Sequence, residues 1–201
     1  MPLAEVLRAQ AATDLIATDS TEGAAQTRFK PLIVPRHPQR FDEVQALAEA
    51  QGLRVSRRSS WPAAGPVESV EALQADAWLG DTLGEMALYY GLASVALLGG
   101  SFAPQGGQNL IEAAACGCPV VMGPHTFNFL EAAELAEAEG AALRVADMGE
   151  GVQAALWLVN DSPALAKAAH AGLAFAARHR GATDRTLAAL KPYLDDLQAG
   201  R

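Results

Sequence analysis

Short apolar runs alternate along this chain with longer segments whose apolar residues recur at helical spacing, and that alternation is the pattern of a parallel β-sheet covered by helices. The candidate strands are 14–18 (DLIAT), 31–35 (PLIVP), 53–56 (LRVS), 76–80 (DAWLG), 94–99 (SVALLG), 119–123 (PVVMG) and 143–146 (LRVA). Six or seven strands make a full α/β sheet. Between them FDEVQALAEAQG stops at Gly52, TLGEMALYYG at Gly91 and QNLIEAAACG at Gly117, because glycine enters the left-handed conformation that ends a helix without steric penalty. Beyond the last strand the pattern is all helical. Ser162 and Pro163 read as N-cap and first turn of SPALAKAAHAGLAFAARHR, with Gly181 behind its basic end, and ATDRTLAALKPYLDDLQ is expected to pack back on the sheet despite Pro192. Residues 57–74 carry Pro62, Gly65 and Pro66 with little periodicity and read as an exposed connection.

The 201 residues suit a single domain spanning 1–201, and with 50% apolar and 19% charged residues they have the composition of an ordinary globular protein. A net charge of −8 argues against nucleic acid as a partner, since displacing counterions from phosphates takes a basic face. Any anion must therefore be met locally. Cys116 and Cys118 are too close for an easy disulfide and lack CxxC spacing, so both read as small core residues in a reducing cytoplasm. No run has the length of a signal peptide or a membrane span, and the chain itself is expected to be soluble.

In open α/β sheets ligands collect at the carboxyl ends of the strands, where glycine turns expose backbone N–H groups. Such turns occur here at STEG (20–23), GDTLGE (80–85), GGSFAPQGGQN (99–109) and GPHTFN (123–128). Gly99, Gly100, Gly106 and Gly107 can bring main chain against a ligand, and the helix expected from Gln108 would point its positive end there. Turns also need glycines for their own geometry, so the glycines alone leave both readings open. Asn109 and Glu112, three residues apart with no nearby cation, add a carboxylate placed to accept both hydroxyls of a ribose; the competing reading is a surface carboxylate at a helix start. Arg36 and His37 at the end of PLIVP can meet a phosphate with charge-assisted bonds. Asp81 or Thr82 reads as a helix cap with Glu85 in the first turn, and Glu85 is equally a polar group at a pocket rim. His125 and Phe127 follow a strand and can approach a base or sugar. No histidine, cysteine or carboxylate cluster has metal spacing, and no GxSxG, P-loop or HExxH motif occurs.

PRHPQRFDEV, GDTLGEM and GGSFAPQGGQNLIEAAACGCPVVMGPHTFNF, in this order, resemble the donor-binding C-terminal half of the 3-deoxy-D-manno-octulosonic acid (Kdo) transferases, over about residues 31–180. The resemblance implies a Rossmann-like parallel sheet flanked by helices, the C-terminal domain of a GT-B glycosyltransferase. Family members are inverting glycosyltransferases that move Kdo from CMP-Kdo to a lipid A precursor in lipopolysaccharide biosynthesis, at the cytoplasmic face of the inner membrane. By resemblance, Gly106, Gly107, Asn109 and Glu112 hold the CMP ribose and phosphate. Arg36, His37, Glu85 and Ser101 would lie on the phosphate side or rim, and His125 to Asn128 would close the pocket. CMP-Kdo is then the donor substrate, with no further cofactor and, with one phosphate to neutralise, no required metal. The general base, the acceptor site and the membrane anchor belong to an N-terminal half that this chain is expected to lack, so the lipid A precursor and the membrane would be reached only through that half. Ser20 and Thr21 match a further donor loop. However, the seven residues AAQTRFK behind it are short for a parallel crossover of ~10–12 residues, so the first strand is displaced or its helix reduced to a turn. The rival readings are another GT-B enzyme acting on a UDP-sugar, as glycosyltransferase or epimerase, and a non-catalytic nucleotide-binding remnant.

Overall fold

The computed structural model describes residues 30–179 and 182–198. The expected strand at 14–18, the loop at 20–23 with Ser20 and Thr21, nearly all of the short crossover, and Gly181 lie outside the described residues. The other six strands form: β1 (Leu32–Ile33), β2 (Val55–Arg57), β3 (Ala77–Leu79), β4 (Ala96–Leu98), β5 (Val120–Met122) and β6 (Ala142–Arg144). All described pairings are parallel, but they make two three-stranded sheets, in the orders β1-β3-β2 and β4-β5-β6, in place of one continuous ladder. Register sets the functional edge. Ile33 and Arg57 both align with Leu79, and Leu98 and Arg144 both align with Met122, so within each sheet the loops that follow the strands leave at one level.

Helices flank the strands: α1 (Phe41–Glu49), α2 (Val70–Gln74), α3 (Met86–Leu92), α4 (Leu110–Ala115), α5 (Leu130–Ala138), α6 (Met148–Asn160), α7 (Ser162–His179) and α8 (Ala182–Gln198). The main core lies under the second sheet, where Val120, Val121 and Met122 are all buried, as a central parallel strand covered on both faces must be. Leu110, Ala113 and Ala114 of α4 and Phe175 of α7 close this core. Burying the phenyl ring of Phe175 contributes about 1.5–3 kcal/mol. The two helices approach closely because Gly172 faces Ala114; a Cβ at Gly172 would stand 3.5 Å from the Ala114 Cα.

Helix α3 bridges the two sheets. The ring of Tyr89 abuts the first, where a Cβ on Gly80 would lie 2.9 Å from the tyrosine Cζ and 3.0 Å from Val34 Cγ2. The next residue, Tyr90, feels the charge of Glu112 on α4.

Several sequence expectations are corrected. Gly52 and Gly117 do turn left-handed at φ 82° and 70°, but α3 runs through Gly91 with ordinary φ and ends one residue later. Residues 57–74 are largely exposed, as expected, but are ordered and anchored: Trp61 is buried, its ring lies edge-on to Trp78 at 5.0 Å, its Nε1 donates to Ser56 Oγ at 3.0 Å, and α2 follows with Ala72 buried. Periodicity gave no sign of these anchors because they are contacts with residues outside the segment. Asp161, not Ser162, caps α7, its Oδ1 accepting from Ala164 N at 2.9 Å. On α8 the side chains of residues 186–195 are all exposed, so over these residues the helix does not pack back on the sheet; the apolar Leu187, Leu190 and Leu194 face outward. Cys118 is buried as expected, which pushes its thiol up to about 12, whereas Cys116 is exposed, turned out past the end of α4.

Candidate functional site

Two loops close on each other at the carboxyl edge of the second sheet. Gly106 and Gly107 adopt φ of 85° and 79°, which a side-chain-bearing residue takes only under strain. At Gly106 there is also no space: a Cβ would sit 2.4 Å from Asn128 Nδ2 and 2.6 Å from the Phe127 ring. Asn128 reaches back across this gap, its backbone N–H donating to Gly106 O at 3.0 Å and its amide to Gln105 O at 2.9 Å. His125 N donates to Ser101 O at 2.9 Å. The structure thus brings Ser101, Gly106, Gly107, His125 and Asn128 together in one interlocked pair of turns.

Ser101 does not fill the role expected of it. Its hydroxyl is fully buried, donating to Leu98 O at 2.6 Å and accepting from Gly123 N at 2.7 Å, so it pins the end of β4 to the end of β5 rather than facing a ligand. Arg144 of β6 supports the same loop from outside, donating to Thr126 Oγ1 at 3.0 Å and to Glu137 Oε2 at 2.7 Å. No signal in the sequence distinguishes Arg144 from other strand-end arginines.

Asn109 is the N-cap of α4: its Oδ1 accepts from Ile111 N at 3.1 Å while its Nδ2 donates to Glu112 Oε1 at 2.9 Å. One amide therefore satisfies the helix start and orients the carboxylate. Glu112 is exposed and its other oxygen has no partner among the described residues. Beside it, burial and then the Glu112 charge push the Tyr90 phenol up to about 12, so it stays a neutral O–H donor at ordinary pH.

The remaining candidates stand on the first sheet and share no hydrogen bond with these loops. Arg36 and His37 follow β1, both exposed, with no side-chain partner among the described residues. Glu85, behind β3, is already engaged. It accepts from the hydroxyls of Thr82 and Tyr89 and pairs with Arg58 at 2.9 Å, and the Thr82 bond foremost, with Arg58 adding, holds it below the usual carboxylate range. Asp81 caps no helix; its carboxylate accepts from Ser59 N at 2.8 Å and Ser59 Oγ at 2.6 Å. Arg58 and Tyr89, which organise this corner, were not singled out by sequence. Among the described residues no group of three or more histidines, cysteines or carboxylates is placed to hold a metal ion, and no helix is long and apolar enough to cross a membrane.

No family model matches the chain. It is 51% identical over 171 residues to the 3-deoxy-D-manno-octulosonic acid transferase of Bordetella pertussis, a match covering 85% of this chain and 39% of that protein. To the enzyme of the same name from Haemophilus influenzae it is 37% identical over 166 residues, covering 82% and 37%. Among solved structures, the C-terminal CMP-Kdo binding domain of WaaA from Acinetobacter baumannii superposes with a TM-score of 0.71 at 28% identity, covering 86% of this chain and 80% of that one. The parallel sheets flanked by helices are therefore the fold of that domain. The chain is related to the Kdo transferases and spans less than two-fifths of the length of these two relatives.

Proposed function

From its kinship with the Kdo transferases, we propose that this chain is their donor-binding part: it holds CMP-Kdo while a second half, carrying the general base and the acceptor site, presents a lipid A precursor at the cytoplasmic face of the inner membrane. The observation that carries this reading is the interlock of the 99–109 and 123–128 loops beside an oriented, exposed Glu112. Gly106 and Gly107, both buried against the 125–128 turn, contribute as framework by letting the two loops close on each other. The free oxygen of Glu112 accepts from ribose hydroxyls, with Asn109 as its positioning residue. His125 and Asn128 line the rim, and Arg36 with His37 meets the phosphate.

The reaction is displacement at the Kdo anomeric carbon by an acceptor hydroxyl: the new C–O bond forms as the bond to the CMP phosphate oxygen breaks. The acceptor proton passes to the base in the other half, and CMP leaves with the bonding pair. Positive charge grows on the sugar and negative charge on the departing phosphate. Only interactions stronger at that point accelerate the step, and preorganised donors of this kind are each worth about 3–4 kcal/mol. This chain's contribution is to bind and stabilise the leaving group. Ser101 and Glu85 contribute as framework, since their polar atoms are engaged within the protein.

Calorimetric titration of CMP into the wild-type chain and Glu112→Ala tests the site. The expected result is one site, weakened at least tenfold by the substitution; equal affinity removes Glu112 from the site. A clear preference for UDP over CMP would replace the Kdo reading with that of a UDP-sugar enzyme.

A further inference from the structure

We propose that Arg58 is a charge mask: by neutralising Glu85, which follows the strand paired with β1, it makes this edge of an acidic protein receptive to an anionic nucleotide. The inference rests on the CMP reading above and adds to it a residue that touches no ligand.

The chain carries a net charge of −8, and two carboxylates, Asp81 and Glu85, follow β3, which pairs in parallel with β1 with Leu79 aligned to Ile33. Each has a cation from the end of β2 within reach, although Arg57 is shared with Asp42, its closer partner at 2.5 Å. Arg57 stands 3.8 Å from Asp81 Oδ2, and Arg58 Nη2 stands 2.9 Å from Glu85 Oε1. The second pair is partly shielded from solvent, with side-chain exposures of 21% and 30%, so bulk water screens Glu85 only in part.

Arg58 is also fixed in its task. Its guanidinium lies over the Trp61 ring at 5.7 Å, and its Nε is buried with no hydrogen-bond partner among the described residues, which leaves Glu85 as its one polar anchor there. Trp61 is itself buried and bonded to Ser56, so the ring is a rigid backing. On the far side, Glu85 accepts from the hydroxyls of Thr82 and Tyr89, and the Tyr89 ring packs against Gly80, where an added Cβ would also meet Val34, two residues before Arg36. An unmasked Glu85 would repel a phosphate arriving at that edge and compete with it for Arg36. This also gives residues 57–61 a purpose that packing alone does not require.

The test is CMP titration at low ionic strength into the wild-type chain, Arg58→Ala, Arg58→Lys and the double variant Arg58→Ala/Glu85→Gln, with melting curves for each. One unit charge at close range in a half-shielded site corresponds to about tenfold in affinity. Arg58→Ala should therefore bind CMP about tenfold more weakly with unchanged stoichiometry, while Arg58→Lys, which keeps the charge, binds nearly as wild type. The double variant should recover to within about threefold of wild type without being more stable than the single one, a rescue that a packing role cannot produce. Where Arg58→Ala does not fold, Arg58→Met, which keeps the stem over Trp61, is read in its place with the matching double variant. A single variant that binds like wild type overturns the mask, as does a double variant as weak as the single one. In either case wild-type binding still upholds the CMP reading; a wild type that binds no CMP removes both.

Discussion

Replacing Gly123 with alanine probes the joint between the two ligand-facing loops. A Cβ there would lie 2.5 Å from the carbonyl oxygen of Ser101, 2.9 Å from its carbon and 2.8 Å from Phe102 Cδ1. Carbon and oxygen tolerate approach only to ~3.3 Å, so the carbonyl must retreat by roughly 1 Å. The obstacle is buried backbone, which cannot rotate aside as a side chain can. Retreat breaks or bends the bond from His125 N at 2.9 Å and the bond from Gly123 N to Ser101 Oγ at 2.7 Å. Two such bonds contribute about 0.5–1.5 kcal/mol each and the overpacking costs about 1–3, giving ~2–6 kcal/mol and a central value of about 4. For a chain of this length each kcal/mol shifts the melting temperature by about 2–4 °C, so Gly123→Ala should melt about 8–16 °C below wild type. The control is Gly99→Ala, a neighbour in the same loop system, where nothing lies within 4 Å of the added carbon and φ is not left-handed; it should stay within about 2 °C of wild type. Calorimetric melts of the three proteins decide the matter. If Gly123→Ala melts with the control, the two loops are not locked as described.

Ser101→Ala leaves Gly123 N and Leu98 O buried without their partner, and should destabilise by about 2–3 kcal/mol in urea titration; a loss below about 0.5 would place the hydroxyl in contact with water. Leu190→Ser, on the outward face of α8, should change the melting temperature by no more than about 2 °C, and a large fall would show that this face is covered in solution. Glu43 is held below its ordinary range by its bond to Arg40, and Glu85 by Thr82 and then Arg58. Depressed carboxylate pKa values contribute stability that is present above the unfolded value of about 4.3 and lost as pH falls through the folded ones. Melting temperature should therefore hold from pH 7 to about 5 and drop below that, and Glu85→Gln should drop less steeply; parallel acid profiles would mean that the Glu85 network adds nothing.

The strands could be read from sequence because their signal is local: PVVMG is apolar at every position, and β5 is buried at every position. The stops at Gly52 and Gly117 were legible for the same reason, since only glycine takes their backbone angles cheaply, whereas Gly91 also follows a helical run but lies inside the helix, which ends at Leu92. At the site, Asn109 and Glu112 were visible as a pair because their bond spans three residues. What sequence could not show depends on chain brought together from afar. Ser101 meets Gly123 across 22 positions, which turned an apparent ligand contact into a clamp, and Arg58 meets Glu85 across 27, which occupied an apparent rim carboxylate. The anchoring of segment 57–74 was not legible because its prolines and glycine suggest loop, while Trp61, Trp78 and Ala72 hold it against the sheet.

Two thiols one residue apart meet opposite surroundings, Cys116 in the open and Cys118 sealed against β5. An alkylating reagent should consume the first at once and reach the second only when that strand peels away. Paired peptide masses from a single digest would then carry their own clock: the outer sulfur records exposure time, and the inner one how often the heart of the protein comes undone.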